Sequence, residues 1–111
     1  MADVVYLVQD LFFGAKIEET ATQLGLAAEK ARDAESLCAS ARAARVALVD
    51  LRLPDALRAL DLLAAAGIRS VAFVDHENVD LMREAAAHGC GTVLSKRRFA
   101  SELAALLTPP A

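Results

Sequence analysis

Apolar residues along this chain alternate between short unbroken runs and a helical repeat. VVYLV (4–8), VALVD (46–50) and IRSVAFV (68–74) are β-branched or aromatic runs too short for helices, and they predict buried strands. LAAEKA (26–31) predicts a weaker, edge-like strand and GTVLS (91–95) a short one. Between these runs the period lengthens. Phe13, Ile17, Thr20, Ala21 and Leu24 share one face of a helix over 13–24, with Gly25 as its C-terminal stop. Asp33 predicts the N-cap of a helix through Ala44, with Leu37, Ala41 and Ala44 inward. Pro54 suits the first turn of a helix that carries Leu57, Leu60 and Leu63 and stops before Gly67. Asn78 caps a helix holding Leu81, Met82 and Ala85, which Gly89 closes, and a last amphipathic helix covers 99–107. No internal repeat, linker or low-complexity segment interrupts the pattern.

Apolar strands alternating with amphipathic helices imply a parallel sheet covered on both faces, because the crossover helices must lie there. The predicted fold class is therefore α/β, doubly wound, with five strands and five helices in one domain over 1–108 and a short tail at 109–111. Composition sharpens this picture. Of the 111 residues, 56% are hydrophobic, with many Ala and no Trp, which favours close packing of helices on a sheet. The formal net charge of −3 leaves no basic surplus to displace counterions from phosphates, so neither nucleic acid nor an anionic membrane is expected as a partner. No segment reaches the roughly 18 apolar residues of a membrane span. MADVVYLVQD has no basic region before its apolar run, so a cytoplasmic location is expected. Cys38 and Cys90 lack metal or redox spacing and read as small apolar fillers.

In doubly wound sheets, chemistry gathers outside the carboxyl ends of the strands. Here those ends carry Gln9-Asp10, Asp50, Asp75-His76-Glu77 and Ser95-Lys96. With strand order 2-1-3-4-5, Asp10 and Asp50 lie side by side. Two carboxylates on a low-dielectric rim repel unless a cation sits between them. Mg²⁺, served by one or two carboxylates plus waters, meets that need, and Lys96 is the other available positive charge. A metal and a lysine beside a carboxylate also prepare it to accept a phosphoryl group. Structural roles compete: Asp50 as a cap for the turn to Pro54, Asp10 as a cap for the first helix, and Lys96 as a simple counter-charge. The Asp75-His76-Glu77 run reads as a solvated loop feeding the Asn78 cap, because consecutive residues point in different directions. His88, at a helix end, favours the C-terminal dipole. Lys96-Arg97-Arg98 reads as a solvated loop or a face for an acidic partner, and one of Phe12 and Phe13 is expected inward with the other protruding beside Asp10.

YLVQD (6–10), VALVDLRLP (46–54) and VLSK (93–96) resemble the corresponding motifs of bacterial response-regulator receiver domains, and the likeness spans the whole chain. It implies a flavodoxin-like sheet of order 2-1-3-4-5 and phosphoryl transfer from a histidine kinase to Asp50, with Pro54 four residues on. It further implies that Gln9 and Asp10 stand for the acidic pair that helps hold Mg²⁺. Lys96 stands for the phosphoryl-binding lysine, and the Arg52 backbone carbonyl for the remaining metal ligand. Several positions depart from that pattern. Gln9 replaces one acid and weakens the expected Mg²⁺ site. The Thr or Ser of the fourth strand is Val74 or Asp75, the switching aromatic of the fifth is Val93, and the proline after the lysine is Arg97. This combination resembles a degenerate receiver: a stand-alone signalling module that works by protein–protein interaction, with atypical or absent phosphorylation switching.

The alternatives are a conventional receiver phosphorylated on Asp50 with Mg²⁺, and a structural dimerisation domain. The expected interaction face includes Met82, Arg83, Thr92, Arg97 and Glu102, and the expected partners are a histidine kinase, a downstream effector or a second copy. Turnover catalysis is not expected. The second acid of a small aspartate-dependent phosphatase is replaced by Arg52, and the chain has no Gly-x-Ser-x-Gly elbow or Gly-rich phosphate loop.

Overall fold

A computed structural model describes residues 2–108; the tail expected at 109–111 lies outside the described residues. The order of elements is β1 (Val4–Leu7), α1 (Leu11–Gln23), β2 (Ala28–Lys30), α2 (Ala34–Ala41) and β3 (Val46–Asp50), then α3 (Ala56–Ala65), β4 (Ser70–Val74), α4 (Val79–Ala87), β5 (Thr92–Ser95) and α5 (Lys96–Leu107). The five strands form one sheet of order β2-β1-β3-β4-β5, and every pairing is parallel.

Alternation along the strands divides the interior into two layers. Val4, Tyr6, Val46, Leu48, Val71 and Phe73 point to one face, where α1 brings Phe13, Ile17 and Ala21 and α5 brings Phe99, Leu103 and Leu107. Val5, Leu7, Ala47, Val49, Ala72 and Val74 point to the other, under α2, α3 and α4. Strands β1, β3 and β4 are buried at every position, as a sheet covered on both sides requires. Aromatic packing is concentrated in the first layer. Phe73 and Phe99 stack with centroids 4.2 Å apart, and Phe13 lies 5.2 Å from Phe73. The single tyrosine, Tyr6, donates its hydroxyl to Glu18 Oε2 at 2.5 Å; burial, then this hydrogen bond and last the Glu18 charge push its phenol well above the usual range.

Several boundaries move for local reasons. α1 begins at Leu11, because Asp10 Oδ1 accepts from the backbone N–H groups of Phe12 and Phe13. Leu24, expected on the inward face, is instead the C-cap and is exposed, since the helical step has ended before it. α2 stops at Ala41, so Ala44 packs against the core from a turn. Pro54 lies in the turn before α3 and not in its first turn; Asp55 occupies the cap position without a side-chain cap bond and pairs with Arg58. α5 starts at Lys96, directly after β5, because Ser95 Oγ accepts from Arg98 N–H.

Candidate functional site

Strands β1 and β3 are neighbours, so both deliver their last residues to the same rim of the sheet. There Gln9, Asp10, Asp50, Arg52 and Lys96 line one open pocket of about 240 Å³. Asp50 is the last residue of β3 and only 3% exposed. Its Oδ1 accepts from the Arg52 backbone N–H at 3.0 Å, which turns the chain sharply after the strand. Among the described residues, no ion pair forms to this carboxylate; the nearby cations are engaged elsewhere.

Asp10 has two tasks. Its Oδ1 caps α1, and its Oδ2 lies 3.9 Å from Lys96 Nζ. Gln9 is exposed. Lys96 opens α5, 5.6 Å above the Phe13 ring, where the ring face supplies a further weak attraction. Cations at a helix N-terminus oppose the helix dipole. Here Asp10 and Asp75 offset Lys96, and Glu102 accepts from Arg98 Nε at 2.9 Å. Lys96, Arg97 and Arg98 therefore form a first helical turn, where the sequence pattern had suggested a loop.

Asp75 follows β4 and does not line the pocket itself, but it reaches two of the pocket's cations. Its Oδ2 accepts from Arg52 Nη1 at 2.5 Å, and its Oδ1 is 3.5 Å from Lys96 Nζ. No local pattern in the sequence signals this bridge, which joins side chains 23 residues apart. His76 and Glu77 are exposed, and Asn78 accepts from Leu81 N–H as the cap of α4. His88 is the C-cap of α4, and its Nδ1 is 2.7 Å from Asp61 Oδ1 on α3. Val74 is fully buried with its side chain in the layer under α2, α3 and α4, and it pairs in register with Ser95. Val93 is half-buried on that same side of the sheet. Neither side chain offers a hydroxyl or an aromatic ring to the pocket.

As donors, Asp10, Asp50 and the Arg52 carbonyl are hard oxygens of the kind Mg²⁺ prefers. The set is minimal. No cluster of three or more His, Cys, Asp and Glu suited to a metal occurs among the described residues. Of the residues expected on an interaction face, Arg83 and Arg97 are exposed, Met82 is half-buried against the core, and Glu102 is half-buried and tied to Arg98. A more prominent apolar feature lies beside the pocket. Leu11 and Phe12 are 80% and 69% exposed, while Phe13 turns inward.

The burial of Asp50 leads to a stability prediction. Asp50→Asn retains the oxygen that accepts from Arg52 and removes a charge held out of water near Asp10. The variant is expected to gain on the order of 1 kcal/mol, seen as a higher Tm in thermal unfolding. A lower Tm would mean that the charge is compensated in the folded protein.

No family model and no curated protein matches the sequence. Solved structures do match in three dimensions. The receiver domain of NtrX from Brucella abortus superposes with a TM-score of 0.77 at 22% identity, over 94% of this chain and 93% of that one. The fold is that of a response-regulator receiver domain. The chain spans only 25% of the longer NtrX chain, which it matches at 23% identity over 95% of its own length with a TM-score of 0.77. The receiver domain of the sensor histidine kinase PA1611 from Pseudomonas aeruginosa PAO1 gives a TM-score of 0.77 at 20% identity, covering 96% of this chain and 93% of that one. That receiver carries a magnesium ion coordinated in its active site cleft. In the receiver frame the pocket lies at the carboxyl rim of the sheet, and no described helix is long and apolar enough to cross a membrane.

Proposed function

We propose that this chain is a receiver-like signalling module that acts by binding a protein partner, with the Asp50 site atypical or silent as a phosphorylation switch. The observation that carries this reading is the end of β4. Val74 is fully buried on the side of the sheet under α2, α3 and α4, and the next residue is an acid, so no hydroxyl stands ready to meet a phosphoryl group at Asp50. A switch needs an element whose two states a ligand contacts differently. Val74 and Val93 provide neither the hydrogen-bond donor nor the mobile ring that such an element requires.

Within this reading, Asp50 is the candidate phosphoacceptor, Lys96 the candidate phosphoryl or acid partner, and Gln9, Asp10 and Asp75 its acidic surroundings. Asp10, Asp50 and the Arg52 carbonyl are the groups that would hold Mg²⁺, weakly because Gln9 contributes no charge. When bound, the ion would neutralise oxygens at the rim and leave the carboxylates free of mutual repulsion. The partner is a histidine kinase or a downstream effector, or a second copy meeting through Met82, Arg83, Arg97 and Glu102. The exposed Leu11 and Phe12 add apolar surface of the kind a protein partner buries. The chain is read as a cytoplasmic binding module and not as a turnover enzyme.

The second reading, a conventional receiver, is favoured by the convergence of Asp10, Asp50 and Lys96 on one pocket. Intact-mass measurement after incubation with Mg²⁺ and a small acyl phosphate separates the two. The expected result is no stoichiometric phosphoryl adduct on the wild type, and an unchanged oligomeric state. Full labelling that Asp50→Asn abolishes, together with a change of assembly, would establish the conventional receiver instead.

A further inference from the structure

Two side chains bring positive charge to the Asp50 pocket: Arg52 from the turn after β3 and Lys96 from the start of α5. Both are turned onto one carboxylate from a third element. Asp75 Oδ2 accepts from Arg52 Nη1 at 2.5 Å, and Asp75 Oδ1 is 3.5 Å from Lys96 Nζ. Lys96 approaches Asp10 at the longer distance of 3.9 Å. The rim thus holds three carboxylates and two cations; both cations pair with the more exposed Asp75, and among the described residues neither forms an ion pair with the buried Asp50.

We propose that Asp75 is a built-in anion: it takes up the cations that a phosphoryl-type dianion at Asp50 would need, and its own charge repels such a ligand. The inference rests on the reading of Asp50 as a receiver-type acceptor site, and it names what sets that site's selectivity. An external dianion entering the pocket meets Asp10 and Asp50 without free cations to neutralise it. To recruit Lys96 and Arg52 it must draw both from Asp75. The side chains are partly open to water, at 57% exposure for Arg52, 41% for Asp75 and 29% for Lys96. Exposed ion pairs exchange readily, so Asp75 competes with the ligand and does not lock the pocket permanently. Removing its charge both frees the two cations and lowers the negative field over Asp50.

Asp75→Asn changes the charge while keeping the size of the side chain. Asp75→Ala removes the side chain's polar atoms, adds no hydroxyl to the end of β4, and covers the case in which the amide still holds Arg52. Asp80→Asn is the control, because it removes one acid from an exposed position on α4 that makes no pair with the rim cations. The probe is beryllofluoride with Mg²⁺, a tetrahedral mimic of a phosphoryl group on a carboxylate, titrated while the amide resonances of Leu51 and Arg52 are followed. Asp75→Asn is expected to bind roughly tenfold or more tightly than wild type, and Asp80→Asn to match wild type. Equal affinity in wild type and both Asp75 variants, including no binding in any, would overturn the inference and leave the wider reading of the fold intact. An equal gain in Asp80→Asn would also overturn it, because overall charge would then explain the effect. If the gain persists when Asp50→Asn is added to Asp75→Asn, the probe is not at Asp50, and the acceptor-site reading fails together with the inference.

Discussion

Phe73→Ala is expected to cost about 3–5 kcal/mol of folding stability. Phe73 is fully buried in the fourth of five strands, where it stacks on Phe99 at 4.2 Å and meets Phe13 at 5.2 Å. Its removal deletes a large apolar side chain and leaves two rings without their common neighbour. Neither Phe13 nor Phe99 can close the gap cheaply, since α1 and α5 hold each of them by several other buried residues. Domains of this size are commonly stable by only about 5–15 kcal/mol, so the variant should unfold at a much lower urea concentration. The loss should reach the rim as well. Phe73 pairs in register with Asp50, and Phe13 lies beneath Lys96, so the pocket is supported by the same aromatic group. Phe12→Ala, at a ring that is 69% exposed, is the matched control and should change stability by less than about 1 kcal/mol. Similar urea midpoints for the two variants would show that the aromatic layer is not a principal source of stability.

The second large effect is expected at the far end of the molecule. Gly89 follows α4 with φ +89°, and a Cβ added there would stand 2.8 Å from Ala64 Cβ on α3. Gly89→Ala therefore suffers twice. The left-handed backbone costs roughly 1–2 kcal/mol for a residue with a side chain, and the overlap costs a further 1–3 kcal/mol or so as the helices part. The two contributions can be separated. Gly25 has φ +72° with nothing within 4 Å of an added Cβ, so Gly25→Ala bears the backbone penalty alone. Adding Ala64→Gly to Gly89→Ala should recover the overlap and not the backbone strain, a coupling that a double-mutant cycle in urea measures directly. Additive effects would mean that the α3–α4 contact yields without cost.

The strands were readable because each of the strong ones carries its own local signature. VVYLV, VALVD and the SVAFV part of IRSVAFV are buried on both sides, so their apolar runs needed no knowledge of partners. Helix ends were less legible, because caps depend on geometry that a hydrophobic repeat does not encode. Asp10 reads as both a pocket acid and a cap, and its two oxygens allow it both positions. Lys96-Arg97-Arg98 looked like a loop because cations are poor first-turn residues; the Ser95 cap and acids from two other elements outweigh that preference. The Arg52–Asp75 bridge had no local signal at all. It joins side chains 23 residues apart that meet only because β3 and β4 end side by side. Leu11 and Phe12 illustrate the same limit, for the Asp10 cap sets where α1 starts and hence which ring faces outward.

The flanks of the sheet bear on how the protein behaves when crowded. β2 offers an incoming chain three residues, two of them the exposed and charged Glu29 and Lys30, and β5 offers four before α5 begins. Templates this brief give a foreign strand too few hydrogen bonds to anchor it. Short borders of this kind, one of them charged, disfavour edge-to-edge growth of the sheet and leave association to side chains.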